Sequence, residues 1–548
     1  MSDDRATEIM NRQHKMYSDR LQWVRSWEEI SEVLLPRYVN RFRSPLDMIR
    51  QGQQNTEKQF DATPALALDK FSAAMDSMLT PRLQKWHRLR ASVPSLNKSA
   101  RVRIYFDEVR DILFKYRYAP NANFASQMFE HWQGLGAFGT AATFVDRMAG
   151  GGLRYRSIFL GEIYFLENHQ GLVDTAHRVF KLTARQAMQK WGEKCPDKIK
   201  AAAADPKKQD DSFTFIHCVY PNTDYTVGRM DNQGMEFRSD YVCEDTKTIV
   251  EEGGYATFPY AISRYVTGPG ETYGRSPAMT VLPNIKVLNE QKKTMLKMGQ
   301  RAVDPVLLAH DDGVIGTVNL TPGYVNYGGV DSQGRKLVTA LEMPNSGQGL
   351  NVGKEMVADE RAIVNDAFWI TIFQILTETP QMTATEVLER VKEKGALLAP
   401  IMGRQQSECL GPLIERELDL LNRQHLLPPM PPELVEAGGE FHVIYDSPLS
   451  RAMQAEEASG FMRTLETAIN YSQATQDPSA FDWLDIDTAM PEIADIQAVP
   501  ARWVRTPDAV AKIREGRSQA QQQQQMADAA PAIASILKTT GSAVPGGQ

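Results

Sequence analysis

The spacing of apolar residues changes twice along this chain, and these changes limit the folds it can adopt. Up to about residue 150, apolar residues recur every three, four or seven positions, which is the spacing of one helical face. From about 153 to 265 they fall in short runs separated by Gly, Asn and Asp, which is typical of strands. Helical spacing returns from about 276. The sequence therefore predicts an α+β protein that is mainly helical.

Four helices are predicted in the first 150 residues. The apolar positions of the first are Ile9, Met16, Trp23, Trp27, Ile30 and Leu34. This helix ends at Pro36. The second begins at Thr63-Pro64, where Thr suits the cap and Pro the first turn, and it ends before Pro81. The other two are expected at about 100–117 and 124–147.

Six runs rich in Tyr, Phe, Ile and Val are predicted strands of a β-rich insert. They are RYRSIFL, EIYFLEN, HRVFKLT, FTFIHCVY, FRSDYVC and TFPYAISRY. A short helix is expected among them, near 183–204.

A second helical block follows the insert. Ser276-Pro277 starts a helix that reaches about Ala302 and bends at Pro283. The segment 304–349 is rich in Gly, Pro, Asn and Asp and suggests a small lobe. Helix resumes at about 352–373, and after a break a capping box at 383–386 opens a longer helix to about 422, bent at its two prolines. Beyond 440 we expect one strand, several helices and a Gln-rich tail.

Composition excludes several classes of protein. The formal net charge of −7 argues against a protein that grips nucleic acid tightly, because tight binding needs clustered cations. Four cysteines stand far apart without a CxxC pair, so free thiols in a reducing compartment are expected. The polar start and the lack of a 20-residue apolar run predict neither secretion nor a membrane span, hence a soluble protein made inside the cell.

No catalytic, cofactor or metal site is predicted. The chain has no GxSxG elbow, no GxxxxGK[ST] loop and no HExxH pair. His217-Cys218 with Cys243 is the nearest approach to a metal cluster, but adjacent strand residues point to opposite faces. Gly268-Pro269-Gly270 lacks the GxGxxG spacing, and a turn is the better interpretation. We therefore expect no enzyme.

A stripe of cations runs along the helix at 276–302. At about 100° per residue, its members gather apart from the apolar face, and they are Lys286, Lys293, Lys297 and Arg301. Glu290 interrupts the stripe. The cationic stripe is either an ordinary solvated face or a surface exposed to a polyanion.

Three stretches are specific enough to compare with known families. They are FDATPALALDKFSAAMDSMLTP, TFPYAISRY followed by GPGETYGRSPAMTVLPNIKVLNEQKK, and QMTATEVLERVKEKGALLAPIMGRQQSECLGPLIERELDLL. In this order they resemble the portal (head-to-tail connector) proteins of short-tailed bacteriophages, and the similarity covers roughly residues 5–425.

The resemblance implies a portal fold and an assembly. Its segments would be a wing at 1–275, a first stem helix at 276–302, a clip at 303–350, a second stem helix at 351–372, a tunnel loop at 373–382, a long wing helix at 383–425, a crown at 426–515 and a mobile tail at 516–548. Twelve copies would form a ring at one capsid vertex of the virion, assembled in the host cytoplasm. Implied partners are double-stranded DNA, the terminase large subunit, the tail adaptor, and the major capsid and scaffold proteins, with no cofactor and no membrane.

The resemblance also assigns residues to roles. The tunnel loop would place polar groups near DNA, at Gln374, Thr377, Glu378, Thr379 and Gln381. The clip would offer a docking surface that includes His310, Asp311, Asp312 and Tyr324. The cationic stripe would face the channel or pair with a neighbour's acidic residues, namely Glu355, Asp359 and Glu360.

Two other classes of protein stay open at this point. Another phage head or tail component, such as an adaptor or a scaffold-like oligomer, would explain the acidity but not the order of stem, clip and stem. An enzyme with an unrecognised site comes third.

Overall fold

The computed structural model describes residues 2–43, 52, 55–148, 150–229, 231–304, 306–309, 319, 325, 327–340, 346–377, 397–446, 448–476, 478–496, 499, 503–505 and 509–521. The chain divides into two compact units. The first comprises Met1–Gln84 and Leu113–Leu426, and the second comprises Lys85–Ile112 and Leu427–Gln548.

The described elements alternate between helix and strand. The helices are α1 Ser2–Val33, α2 Thr63–Leu79, α3 Ala100–Arg117, α4 Phe124–Phe138, α5 Ala184–Trp191, α6 Asp197–Ala204, α7 Pro277–Thr280, α8 Leu282–Val303, α9 Ser346–Ala367, α10 Ile370–Thr377, α11 397–405, α12 Gly411–Arg423, α13 Pro432–Glu436, α14 Pro448–Thr475, α15 Ile486–Ile496 and α16 509–521. The strands are β1 His87–Ala91, β2 Thr140–Arg147, β3 Leu153–Ile158, β4 Ile163–Glu167, β5 Val173–Thr183, β6 Ser212–Pro221, β7 Phe237–Cys243, β8 Thr248–Tyr255, β9 Tyr260–Arg264, β10 Leu307–Ala309, β11 Val338–Ala340 and β12 Phe441–Tyr445. The mixture confirms the α+β class.

Short 3₁₀ turns connect several of these elements. They lie at Pro36–Tyr38, Thr56–Lys58, Pro94–Lys98, Leu160–Glu162, Gly192–Lys194, Asn232–Gly234 and Pro478–Trp483. A π-helical segment, Gln406–Leu410, joins α11 to α12.

The first two predicted helices are confirmed as α1 and α2, although the predicted cap of α2 is wrong. The apolar face of α1 is buried, and the Nε1 of Trp27 donates to the carbonyl of Phe138 over 3.1 Å. In α2, Thr63 is already helical, and its N–H donates to the side chain of Asp61 over 2.8 Å. Asp61 therefore supplies the hydrogen bond expected of the cap.

The helix predicted at 124–147 is shorter than expected. It ends at Phe138 because Gly139 takes a left-handed conformation with φ of 77°, and its N–H donates to the carbonyl of Leu135. The next residues form β2, whose β-branched and aromatic side chains suit a strand. This strand lies between β3 and β9 in a three-stranded antiparallel sheet.

Five antiparallel strands form the larger sheet, in the order β4-β5-β6-β7-β8. On one face, Ile216 packs with Ile9 and Met16 of α1. On the other face, Phe215 packs with Trp191 of α5 and Ile199 of α6. Adjacent strand residues therefore bury both faces, as the alternation of side chains requires. The predicted short helix is two helices, α5 and α6.

Two strand pairs join distant parts of the sequence. In the second unit, β1 pairs with β12, with His87 opposite Tyr445. In the first unit, β10 pairs with β11, within the segment predicted to be a small lobe. The predicted strand after 440 is confirmed as β12, whereas β1 was not predicted.

The helix predicted from Ser276 is confirmed, with an interruption. The hydroxyl of Ser276 accepts the N–H of Met279 over 3.0 Å, which caps α7. Val281 then separates α7 from α8. Pro283 lies in the first turn of α8 and has no N–H to donate to the preceding turn, so the predicted distortion falls at this point.

The helix predicted at 352–373 is two helices. α9 begins at Ser346 and ends at Ala367, and α10 starts at Ile370. Between them Trp369 has a φ of 61°, and its Nε1 donates to the hydroxyl of Tyr265 over 2.8 Å. A long-range hydrogen bond thus holds the break, which local spacing does not reveal.

The long helix after 383 is described from residue 397 onward, so its predicted capping box lies outside the described residues. The segment 397–405 is α-helical through Pro400. At Gln406 the pitch widens to a π-helix, and the N–H of Gly411 donates to the carbonyl of Gln406. The π-segment ends two residues before Pro412, so the helix departs from regular α-helical geometry near one of the two predicted bends.

Candidate functional site

The two predicted stem helices, α8 and α9, pack against each other in opposite directions. Asn284, near the start of α8, donates to Glu360 in the second half of α9 over 3.1 Å. Farther along α8, Met295 lies against Gly353 near the start of α9. A Cβ on Gly353 would stand 3.3 Å from the Met295 side chain, so the glycine allows this close approach.

Polar contacts tie the paired helices to the start of α2. The side-chain oxygen of Asn289 accepts the N–H groups of Phe60 and Asp61, each over 3.1 Å. Arg361 of α9 forms an ion pair with Asp61 over 2.6 Å. This carboxylate also accepts the N–H of Thr63. One end of the helical pair is therefore fixed to the body of the first unit.

The cationic stripe divides into two halves. Lys286 forms an ion pair with Glu29 of α1 over 2.7 Å, and this hydrogen bond lowers the pKa of the Glu29 carboxyl. Lys293 pairs with Glu290 over 3.3 Å. The other half consists of Lys297 and Arg301, which are exposed and have no ion-pair partner among the described residues.

The acidic residues predicted on α9 also divide into one with a partner and two without one among the described residues. Glu360 accepts the hydrogen bond from Asn284. Glu355 and Asp359 are exposed, and neither has an ion-pair partner in the part of the chain that the structure describes. Among their exposed charges, α8 therefore presents these two cations and α9 these two acids without ion-pair partners in the described chain. Beside its acids, α9 also exposes Lys354.

An exposed apolar stripe accompanies the acids of α9. Val352, Met356 and Ile363 are 56%, 49% and 44% exposed. At about 100° per residue these three point in nearly the same direction as Asp359. On α8, Leu296 continues the direction of the buried face but is 48% exposed. Exposed apolar side chains aligned along a helix are typical of a surface that a partner covers.

The sequence is similar to the family described as bacteriophage head to tail connecting protein, over residues 6–504. The chain belongs to this family. The family expected from the three sequence stretches is therefore confirmed, and the protein is a bacteriophage head-tail connector.

Two curated relatives of this connector align with it over nearly its whole length. It is 27% identical over 527 residues to the "Probable portal protein" of Bordetella phage BPP-1, covering 95% of this chain and 92% of the relative. It is 26% identical over 558 residues to the "Portal protein" of Salmonella phage epsilon15, covering 100% and 97%. A solved chain from the "Virion of native gene transfer agent (GTA) particle" aligns with a TM-score of 0.34 at 9% identity, over 73% of this chain and 85% of that chain. This last likeness is too low to support an argument.

The predicted tunnel loop of the connector is only partly described. Gln374 and Thr377 lie in α10, so the structure places them in a helix and not in an irregular loop. The apolar run at 370–376 continues the helix after the break at Trp369. Three further predicted residues lie outside the described residues, and they are Glu378, Thr379 and Gln381. The predicted clip residues also lie outside them, and they are His310, Asp311, Asp312 and Tyr324.

The residues considered above as a possible metal cluster make separate contacts instead. His217 contacts the hydroxyls of Tyr260 and Ser239 at 2.7 and 3.0 Å. Cys218 points to the other face, where its sulfur lies 2.8 Å from Nε2 of His177. Within the described ranges, no three His, Cys, Asp or Glu side chains are grouped so that they could hold a metal ion. No helix of the described chain is long and apolar enough to cross a membrane.

The glycine-rich stretch at 268–270 is a turn. The N–H of Glu271 donates to the carbonyl of Gly268 over 3.1 Å, and the Glu271 carboxylate accepts the N–H of Gly268 over 3.1 Å. Gly270 has a φ of 75°, which favours glycine. The carboxylate of Glu271 also pairs with Arg275. The backbone N–H of Gly268, which a phosphate would need as a donor, is therefore already bonded to the carboxylate of Glu271.

Sequence reasoning missed two buried ion clusters in the first unit. Arg117 of α3 and Glu417 of α12 are both fully buried and form an ion pair, and Tyr155 donates to Glu417 over 2.5 Å. In the second cluster, Arg264 pairs with Glu408 of the π-segment over 3.0 Å and also with Glu167. The paired residues are far apart in the sequence, so no local spacing predicts them. A signal for these residues was the inclusion of Arg264, Glu408 and Glu417 in the family-like stretches.

Proposed function

We propose that this connector is a portal subunit, and that twelve copies close into a ring at one capsid vertex of the virion. Through its channel DNA would enter the head during packaging and leave during ejection. The observation that carries the proposal is the end-to-end alignment with two phage relatives that are named portal proteins. The role is structural, without a catalytic site or a cofactor.

The exposed surfaces of α8 and α9 support closure into a ring. A closed ring of identical subunits needs two different and complementary faces on each copy. We propose that Lys297 and Arg301 of one copy meet Glu355 and Asp359 of the next. The apolar stripe beside Asp359 favours contact with protein over exposure to a DNA-filled channel, because burial of apolar side chains is favourable. Lys286 and Lys293 already have partners within the chain.

The overall charge suits a channel through which DNA slides. A ring of twelve chains carries twelve times −7, or −84. Duplex DNA carries one charge per about 1.7 Å of its axis, so a strongly basic bore would retain it. We propose that the segment 373–382 lines the narrowest part of the channel. Its candidate DNA-proximal residues are neutral or acidic, which permits guidance without adhesion.

The remaining proposed contacts follow from the same assignment. The segment 303–350 would be the clip, which docks the terminase large subunit during packaging and the tail adaptor afterwards. The regions 1–275 and 383–425 would form the wing, and 426–515 the crown. The outer surface of the ring would contact the major capsid and scaffold proteins in the host cytoplasm during assembly.

A charge-swap series tests the proposed contact between copies. Native mass spectrometry of the purified full-length protein gives the fraction of subunits in rings. We expect Lys297→Glu with Arg301→Glu, and separately Glu355→Lys with Asp359→Lys, to lower this fraction about tenfold or more, because like charges then face each other. All four changes in one chain should restore the rings.

A control with the same change of charge is Lys207→Glu with Lys208→Glu, at two exposed lysines of the first unit. It should leave the rings unchanged. Normal rings from both double variants would contradict the contact, and a defect confined to DNA packaging would instead assign the cations to the channel. A wild-type assembly without a central opening would favour an adaptor or a scaffold-like oligomer.

A further inference from the structure

A cleft of about 160 Å³ opens on the first unit, away from the paired helices α8 and α9. Its walls come from α4, from the strands β2 and β3, and from the segment that follows α1. Three guanidinium groups line it, from Arg41, Arg156 and Arg178. Three cations in one recess of an acidic protein call for a physical explanation.

One carboxylate serves two of these cations. The two oxygens of Glu162 lie 3.7 Å from Arg41 and 3.4 Å from Arg178. Charge-assisted hydrogen bonds are normally about 2.7–2.9 Å long, so neither contact is close. The Nε of Arg178 is buried and has no hydrogen-bond partner among the described residues. Arg178 is 9% exposed and lines the cleft, and its hydrogen bond to a described residue is the long contact with Glu162.

The third cation is not paired at all. Arg156 is an exposed side chain of β3, and it forms neither a hydrogen bond nor an ion pair with any residue that the structure describes. Displacement of its water by surrounding atoms, together with repulsion from Arg178, lowers the pKa of Arg156. Glu130 is exposed at the rim of the cleft. Three arginines against Glu130 and Glu162 leave one uncompensated positive charge.

One side of the cleft is apolar, and the rest of its lining is polar or charged. The rings of Tyr38 and Phe159 stack with their centroids 4.9 Å apart, and Arg41 lies over Phe159 at 4.7 Å. Leu35 and Ile158 complete this side. A group that contacts both this apolar side and the arginines would combine a short apolar stem with a single negative charge.

We propose that this cleft receives an acidic side chain, Glu or Asp, from a protein partner. Its methylene groups would contact Tyr38 and Phe159, and its carboxylate would accept hydrogen bonds from the guanidinium groups of Arg156 and Arg178. A cavity of about 150 Å³ holds a molecule as large as benzene, so the space is sufficient. This proposal does not depend on ring assembly.

The same features disfavour phosphate. A phosphate monoester carries about −1.5 to −2 charges near neutral pH, which exceeds the single uncompensated positive charge and would be repelled by Glu162. The phosphates of a duplex lie on the outside of a wide, stiff helix, which cannot enter a recess of this size. An acidic side chain has neither difficulty.

Ligand-observed NMR on the full-length protein tests the proposal with three probes. These are the blocked tripeptide acetyl-Ala-Glu-Ala-amide, the same peptide with Gln in place of Glu, and inorganic phosphate. We expect the Glu peptide to bind and the Gln peptide to bind at least tenfold more weakly, because hydrogen bonds to charged groups are worth more than neutral ones. Arg156→Gln should weaken binding of the Glu peptide about tenfold or more.

The matched control is Arg147→Gln, which removes an exposed arginine from the neighbouring strand β2, outside the cleft. It should leave binding unchanged, and thermal unfolding should show that both variants are folded. Equal binding of the two peptides, equal loss in both variants, or no binding of the Glu peptide would overturn the proposal. Phosphate binding more tightly than the Glu peptide would overturn it in favour of a phosphate site.

Discussion

Glu417 lies at the centre of a buried ion cluster in the first unit. Its carboxylate faces Arg117 and accepts a hydrogen bond from Tyr155, and both charged side chains are fully buried. Two charges removed from water are tolerable only as a pair, because each cancels the field of the other. The cluster joins the end of α3 to α12.

Replacement of Glu417 by Gln should be strongly destabilising. The change keeps the shape of the side chain but leaves the buried charge of Arg117 uncompensated, and we expect the free energy of unfolding to fall by about 3–5 kcal/mol. Urea unfolding followed by tryptophan fluorescence measures this. The control is Glu193→Gln, at a side chain that is 95% exposed, where the change should stay within about 0.5 kcal/mol. A loss in the Glu417 variant no larger than in the control would contradict the role of the pair.

His131 should make the stability depend on pH. Burial lowers its pKa to about 3, whereas the unfolded chain has a histidine pKa near 6.5. Below about pH 6.5 the unfolded state therefore binds a proton that the folded state refuses. The stabilising contribution is complete above this pH and is lost toward pH 3, by about 1.4 kcal/mol per pH unit.

His131→Gln should remove this part of the pH dependence. Urea unfolding at a series of pH values in that window should show a shallower decline for the variant than for the wild type. The control is His169→Gln, at an exposed histidine, which should keep the wild-type slope. Parallel curves for wild type and His131→Gln would show that the buried imidazole does not cause the effect.

At the scale of elements, a glycine decides where α4 ends and β2 begins. Gly139 has a φ of 77°, and a Cβ at this position would lie 2.2 Å from the carbonyl oxygen of Gly274. Gly139→Ala should therefore destabilise the protein by more than about 2 kcal/mol, through backbone strain and a steric clash. Thermal unfolding measures the loss.

A second glycine provides the control for this change. Gly299 lies inside α8 with open space around its missing side chain. Gly299→Ala should stabilise the protein by about 0.5–1 kcal/mol, because alanine favours the helix. If the two variants melted at the same temperature, the conformation of Gly139 would not be what ends α4.

Local signals predicted the presence of helices better than their interruptions. Ser276-Pro277 predicted α7, because serine suits the cap and proline the first turn. The apolar spacing from Ile9 onward predicted α1. The break at Trp369 depends on the hydroxyl of Tyr265, which lies 104 residues away in the sequence. No local pattern contains that information. Likewise, β1 becomes a strand only because β12, far along the chain, pairs with it.

For the candidate site on α8 and α9, the sequence predicted which face of the helix carries the cations but not their partners. Helical spacing correctly placed the four cations on one helix apart from its buried face. It could not show that Glu29, 257 residues away, neutralises Lys286. It also could not show that Glu360 is engaged by Asn284. The structure therefore reduces the proposed contact between copies to Lys297 and Arg301 on one side and Glu355 and Asp359 on the other.

At the scale of the whole molecule, the net charge opposes association, whereas local opposite charges and exposed apolar side chains favour it. A net charge of −7 keeps single chains apart at long range, while local opposite charges and an apolar stripe can align neighbours at short range. We therefore propose that a subunit with these surfaces functions in an assembly. Membership in the head to tail connecting protein family agrees with this view.

Cryo-electron microscopy of the purified full-length protein, over a range of concentrations and with scaffold protein added, tests ring closure most directly. We expect a closed ring of twelve subunits around an open axial channel, with Lys297 of each copy next to Asp359 of its neighbour. A protein that stays a single chain under every condition, or a map in which α8 is enclosed in a solid core, would contradict the portal assignment.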